Sequence, residues 1–190
     1  MVVQQVDQGV NSTSYINGDS GSITGFELEA SWRQTDGPFS LTGNYTLIDS
    51  ILKYQVNQGI NVTDLETRFP FQPGQILNAT LGWAPEDQPW SAFLTANFTD
   101  EYPTLLRSEP SAYDVWLKPQ FTLDLVVARK FELDHFDATM TFGFRNLLGG
   151  TRDYEYRGGG ANGATGPFDG LTYTSEEPGR SFSVEFKAEF

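Results

Sequence analysis

The chain has 190 residues, enough for one domain, with a formal net charge of −13 and no cysteine. The missing cysteine excludes disulfides, thiolate metal centres and thiol nucleophiles, and the acidic balance argues against nucleic acid, whose phosphates are neutralised by Lys and Arg. No apolar run reaches the roughly 18 residues of a transmembrane helix, a test that is blind to β-barrels, where only every second residue meets lipid.

The chain opens on Met1 to Asp7, which has neither the basic nor the apolar region of a secretory signal. If the chain is exported, a fragment or a processed chain is expected. Residues 2–10 read as a weak strand. From there, apolar residues recur at every second position in seven segments, the pattern of a strand between two different solvents. The first has Phe26, Leu28, Ala30 and Trp32, and the second has Phe39, Leu41, Gly43, Tyr45 and Leu47. Leu77, Ala79, Leu81 and Trp83 form the third, and Trp90, Ala92, Leu94, Ala96 and Phe98 the fourth. The fifth runs through Phe121, Leu123, Leu125 and Val127 to Phe131. The sixth has Phe136, Ala138, Met140, Phe142 and Phe144, and the last Phe182, Val184, Phe186, Ala188 and Phe190. About eight strands and no helix are predicted.

The intervening rows carry Glu27, Glu29, Asp124, Lys130, Asp137, Glu185, Lys187 and Glu189, whereas the apolar rows carry one charge, Arg129. A basic residue at the bilayer midplane costs roughly 2–4 kcal/mol, falling to about 0–1 kcal/mol near an interface. The rows obey that rule, but a soluble sandwich would obey a similar one. The connections separate the two. Residues 33–38, 84–89 and 130–135 are short, and residues 10–21, 48–75, 99–118 and 145–180 are long. Short periplasmic turns alternating with long extracellular loops are a property of outer-membrane barrels. Trp32, Phe39, Trp83, Trp90, Phe131, Phe136 and Phe190 fall at the short-turn end, and the first six are predicted to form a periplasmic aromatic girdle.

Three segments carry a family resemblance. Gly25-Phe26-Glu27-Leu28-Glu29, Phe142-Gly143-Phe144-Arg145-Asn146-Leu147-Leu148 and Pro178-Gly179-Arg180-Ser181-Phe182 resemble, in order and spacing, strands in the C-terminal half of TonB-dependent receptor barrels. The resemblance implies an antiparallel, 22-stranded transmembrane β-barrel in the Gram-negative outer membrane. Residues 1–190 would be its C-terminal segment, bounded by outer-membrane lipid. It implies uptake of a siderophore, cobalamin, a sugar or a similar scarce nutrient. An N-terminal plug, the remaining strands and a TonB box would be supplied by a parent protein, because none is recognisable in this chain. It also implies that Phe182, Val184, Phe186, Ala188 and the terminal Phe190 are read by the barrel-assembly machinery.

Other motifs carry less. The acceptor-like patterns at Asn11, Asn44, Asn61, Asn78 and Asn97 arise from alternating small polar residues. The run Gly158 to Gly166 lacks the Lys and Ser/Thr of a phosphate loop and reads as an extracellular loop. Around it, Tyr154, Tyr156, Arg157 and Phe168 are candidate ligand contacts. His135 is the only histidine and lies between Asp134 and Asp137, too few groups for a metal site. Glu27, Glu29, Glu185 and Glu189 have no nucleophile and base beside them, so no catalytic residue, cofactor or enzyme activity is expected. Two alternatives remain open: an autonomous eight-stranded barrel with a structural or adhesive role, and a soluble β-sandwich binding carbohydrate. The eight-stranded barrel requires residues 2–10 to pair with residues 181–190.

Overall fold

The computed structural model describes residues 2–7, 10–15, 18–58, 61–109, 112–159 and 165–189. Phe190 and residues 160–164 of the glycine-rich run lie outside them. The described residues form strands joined by turns and loops, without helix. They are β1 (Val2–Asp7), β2 (Val10–Tyr15), β3 (Ser20–Arg33), β4 (Phe39–Gln58), β5 (Asn61–Thr67), β6 (Gln75–Trp83) and β7 (Trp90–Thr99). After these come β8 (Tyr102–Arg107), β9 (Tyr113–Leu117), β10 (Gln120–Leu133), β11 (Phe136–Arg145), β12 (Arg152–Gly158), β13 (Thr172–Glu176) and β14 (Ser181–Glu189).

Two sheets result. The larger is an antiparallel wall in the order β14-β11-β10-β7-β6-β4-β3, with β5 added to the far end of β4. Its register places all seven predicted apolar rows on one face. Leu28 opposes Tyr45, Leu81 opposes Leu41 and Leu94, Leu125 opposes Leu94 and Phe144, and Phe142 opposes Val184. Because side chains alternate across a strand, this common register forces the polar rows onto the opposite face. The apolar face is open: Phe26, Leu28, Leu41, Leu81, Phe121, Phe182 and Phe186 are all exposed. Among the described residues no second sheet covers Phe182 or Phe186, which are 59% and 60% exposed, so this is not the interior of a sandwich.

The wall does not close. Among the described residues β3 pairs only with β4, and β14 only with β11. The strand expected at residues 2–10 is two strands, and they belong elsewhere. β1 pairs antiparallel with β2 and parallel with β8, inside a second sheet ordered β13-β12-β9-β8-β1-β2. The pairing that an autonomous eight-stranded barrel requires is therefore not the one made.

The long connections carry strands that alternation did not reveal. β4 continues eleven residues past Leu47, the last position of its predicted apolar row. It does so without a bulge, since its register with β3 runs unbroken from Arg33↔Ser40 to Ser20↔Lys53. What changes is the side that needs burying. Up to Leu47 the odd positions are apolar; beyond it Leu52, Tyr54 and Val56 are the buried ones. They form a cluster with Leu106 of β8, with Leu65 and Phe69 packed against it. This small core fastens the second sheet to the same side of the wall as Asn44 and Thr46.

Candidate functional site

The polar face of the wall is an ordered surface. Asn78 donates from Nδ2 to Asn44 Oδ1 at 2.9 Å, Thr80 and Thr95 share a hydrogen bond of 3.0 Å, and Asn97 Nδ2 donates to Thr122 Oγ1 at 3.3 Å. Each pair is directly cross-strand, where side chains of this size meet naturally. Beyond the last of these pairs the second sheet approaches the wall, and a cleft of about 310 Å³ lies between them. Asn97, Thr99, Gln120 and Thr122 line it from the wall, and Tyr102, Leu117, Arg152 and Tyr154 from the second sheet. Gln120 Nε2 donates to the Lys118 and Pro119 carbonyls at 3.0 and 3.3 Å, which holds its amide in place. A larger groove of about 820 Å³ sits at the opposite end, between the turns after β3 and β6. Arg33, Asp36, Glu86 and Asp87 are among its lining residues, most of which belong to those turns.

An ion network holds the second sheet together. Arg157 donates from Nη1 and Nη2 to the two oxygens of Glu101 at 2.8 and 2.6 Å, and from Nε to Glu155 Oε1 at 2.7 Å. Lys118 Nζ is 3.3 Å from the other oxygen of Glu155. The Arg157 guanidinium also lies 4.5 Å over the Trp116 ring. Hydrogen bonds from Arg157 hold the Glu101 carboxyl below the usual carboxylate range, and the same bonds raise the Arg157 pKa. Nearby, Asp114 is 4% exposed and accepts from the Arg107 backbone N–H at 2.8 Å and from Arg107 Nη2 at 3.1 Å. Burial nevertheless pushes the Asp114 carboxyl up, and it raises the Tyr54 phenol as well.

The four candidate ligand contacts fall in three places. Tyr154 lines the cleft. Arg157 commits its guanidinium to Glu101 and Glu155. Tyr156 and Phe168 join Tyr113 and Tyr173 in an aromatic cluster, with Tyr156 5.4 Å from Tyr113 and 5.1 Å from Tyr173. The other cleft residues were missed because each is an ordinary polar or apolar strand position. Only the pairing of Tyr102 and Tyr154 with Leu117 brings them together.

The six girdle candidates stand on the apolar face at the short-turn ends of their strands, with Phe39 opposite Trp83 and Phe131 opposite Ala138. The lone charge of that face belongs to the same level. The Arg129 guanidinium lies 5.1 Å over Trp90 and 4.8 Å over Phe131, so two rings flank it. On the last strand, Phe182, Val184, Phe186 and Ala188 oppose Phe144, Phe142, Met140 and Ala138. Phe182 packs against both Phe142 and Phe144. Asn146 secures the entry to this strand. Its N–H donates to Asp124 Oδ1 at 2.8 Å, its Nδ2 to the Gly179 carbonyl at 2.9 Å, and its Oδ1 accepts from Gly150 N at 3.2 Å. Its φ of 53° lies in the left-handed region, which Asn tolerates better than most side chains.

An antiparallel wall with one apolar open face, one polar face and, among the described residues, unpaired edges has the features of a segment of β-barrel wall. Residues 1–147 match the model of the family described as TonB dependent receptor-like, beta-barrel, and the chain belongs to that family. That is a family of outer-membrane receptors and transporters. Neither the curated proteins nor the solved structures gave a match.

Proposed function

We propose that the chain is part of the wall of an outer-membrane receptor that takes up a scarce nutrient with energy from the TonB system. Residues 1–190 serve as the C-terminal wall segment of a barrel of about 22 strands. Further strands close it, and a plug fills its lumen. The observation that carries this is the two-sided wall: seven apolar rows in one register, the polar rows behind them, and edges at β3 and β14 that are unpaired among the described residues. An open sheet edge is not tolerated within hydrocarbon, so the edges call for partner strands. Trp32, Phe39, Trp83, Trp90, Phe131 and Phe136 then form the periplasmic girdle, and Arg129 is carried at interface depth by its two rings. The last strand, with Phe182, Val184, Phe186, Ala188 and Phe190, serves as the assembly signal. The second sheet stands over the polar side at the extracellular mouth.

The absence of native cysteine makes the test direct. Leu94→Cys, Leu123→Cys and Phe142→Cys in outer membranes should react with a lipid-soluble maleimide and resist a charged one. Thr95→Cys, Thr122→Cys and Thr141→Cys should show the opposite preference. Equal reaction of both sets with the charged reagent would refute a lipid-facing wall.

A further inference from the structure

We propose, building on the receptor function above, that the cleft between the wall and the second sheet binds a saccharide of one or two rings. Its two sides differ in the way a sugar does. On the second sheet, Tyr102 and Tyr154 are the cross-strand partners of Leu117 on either side, so two phenol rings flank an aliphatic side chain in one row. On the wall, Thr99 pairs with Gln120 and Asn97 with Thr122, giving two amides and two hydroxyls in adjacent rows. Apolar ring surface suits the C–H face of a pyranose, and amides with hydroxyls offer both donors and acceptors to its hydroxyl rim. The amide nitrogens of Asn97 and Gln120 are already engaged, which leaves their carbonyl oxygens as acceptors for sugar hydroxyls.

Charge and size argue against the other nutrient classes. Among the described residues no carboxylate lines the cleft, although the chain carries 25 acidic residues, so a bare metal cation would meet only neutral oxygens there and no charge to offset its own. Among the described residues Arg152 is the only cation lining the cleft, and Glu176 is its cross-strand neighbour. One partly offset cation is a poor match for a polyanionic metal chelate. The volume, about 310 Å³, falls at the low end of the roughly 300–1,000 Å³ of ligand clefts, too small for a macrocycle.

The test is calorimetric titration of the whole protein, purified in detergent micelles, with maltose, cellobiose, xylobiose, digalacturonate and ferric citrate. At least one of the saccharides should bind. Tyr154→Ala and Thr122→Val should each weaken that binding about tenfold, the scale of an anchoring contact. Thr80→Val, below the cleft on the same face, should leave it unchanged. Preference for digalacturonate that is lost in Arg152→Gln would assign an acidic sugar, and preference for a neutral disaccharide would assign hydroxyl recognition alone; either supports the proposal. Binding of ferric citrate without any saccharide, binding of none of the five, or saccharide binding indifferent to both cleft variants would overturn it. The cysteine-labelling contrast, read in the outer membranes from which the protein is purified, keeps the two ideas apart. Intact contrast without sugar binding removes the saccharide site alone, whereas loss of the contrast removes the receptor wall.

Discussion

At the scale of residues, Arg157 spends its side chain on holding the second sheet together. Its planar fork takes both oxygens of Glu101 while its face covers Trp116, a geometry that Lys cannot reproduce. The pair is partly exposed, so water screens it and its energetic worth is modest. Its pH dependence has a definite sign. Because the folded Glu101 pKa lies below the ordinary value of 4.5, its contribution is fully present above that value. It is lost as pH falls from there through the lower folded pKa. Amide exchange of Arg152–Gly158 should therefore accelerate below about pH 4.5 more than exchange in the wall strands. In Arg157→Lys the exchange should already be faster at neutral pH. Equal acceleration of wall and second sheet would contradict this assignment. Arg129 is a second instance of context deciding a role: two aromatic rings explain its place on the apolar face.

At the scale of elements, β4 is the informative strand. Its lower part is a wall strand and its upper part is the spine on which the second sheet sits, yet the pleat runs through both without interruption. The apolar face exchanges sides because the burying partner does: below it is the open face, above it is Leu106 of β8. Tyr54, 1% exposed, sits at the centre of this contact. Tyr54→Ala should cost about 3 kcal/mol or more by leaving a cavity. The loss should be local. Exchange protection of Tyr102–Arg107 should collapse while that of Gln75–Trp83 persists. Joint loss of both would mean that the wall depends on the second sheet, contrary to the separate ladders seen here. The short strands β8, β9 and β12 escaped the alternation test for related reasons. They span only five to seven residues, β8 contains the buried Pro103, and β12 buries Glu155 by pairing it with Lys118 and Arg157.

At the scale of the whole molecule, the balance between the two faces is what a bilayer acts on. Leu125 lies mid-wall between Leu94 and Phe144, and Thr141 lies on the polar face between Ala128 and Glu185. Leu125→Arg should destabilise the folded protein by roughly 2–4 kcal/mol, the midplane cost of a buried cation in a barrel wall. Thr141→Arg should change stability by no more than about 1 kcal/mol, because that face is wet. Urea unfolding in lipid vesicles compares the two, and equal costs would argue against membrane residence. The small core at the β4–β8 contact is too limited to hold so large an open sheet by itself. In the proposed receptor, lipid on one side and further strands at the edges complete this wall.

By itself the sequence determined the wall: the period-two apolar rows, the one-sided distribution of charge and the alternation of turns with long connections follow from a strand whose two faces meet different solvents. The motif ending in Asn146-Leu147 was visible too, though its clamp on Asp124, Gly150 and Gly179 was not. Tertiary structure alone decided the second sheet, the side exchange in β4 and the cleft. Those depend on which distant strands meet, and a residue such as Leu117 or Thr122 gains its role only from the partner brought across from it.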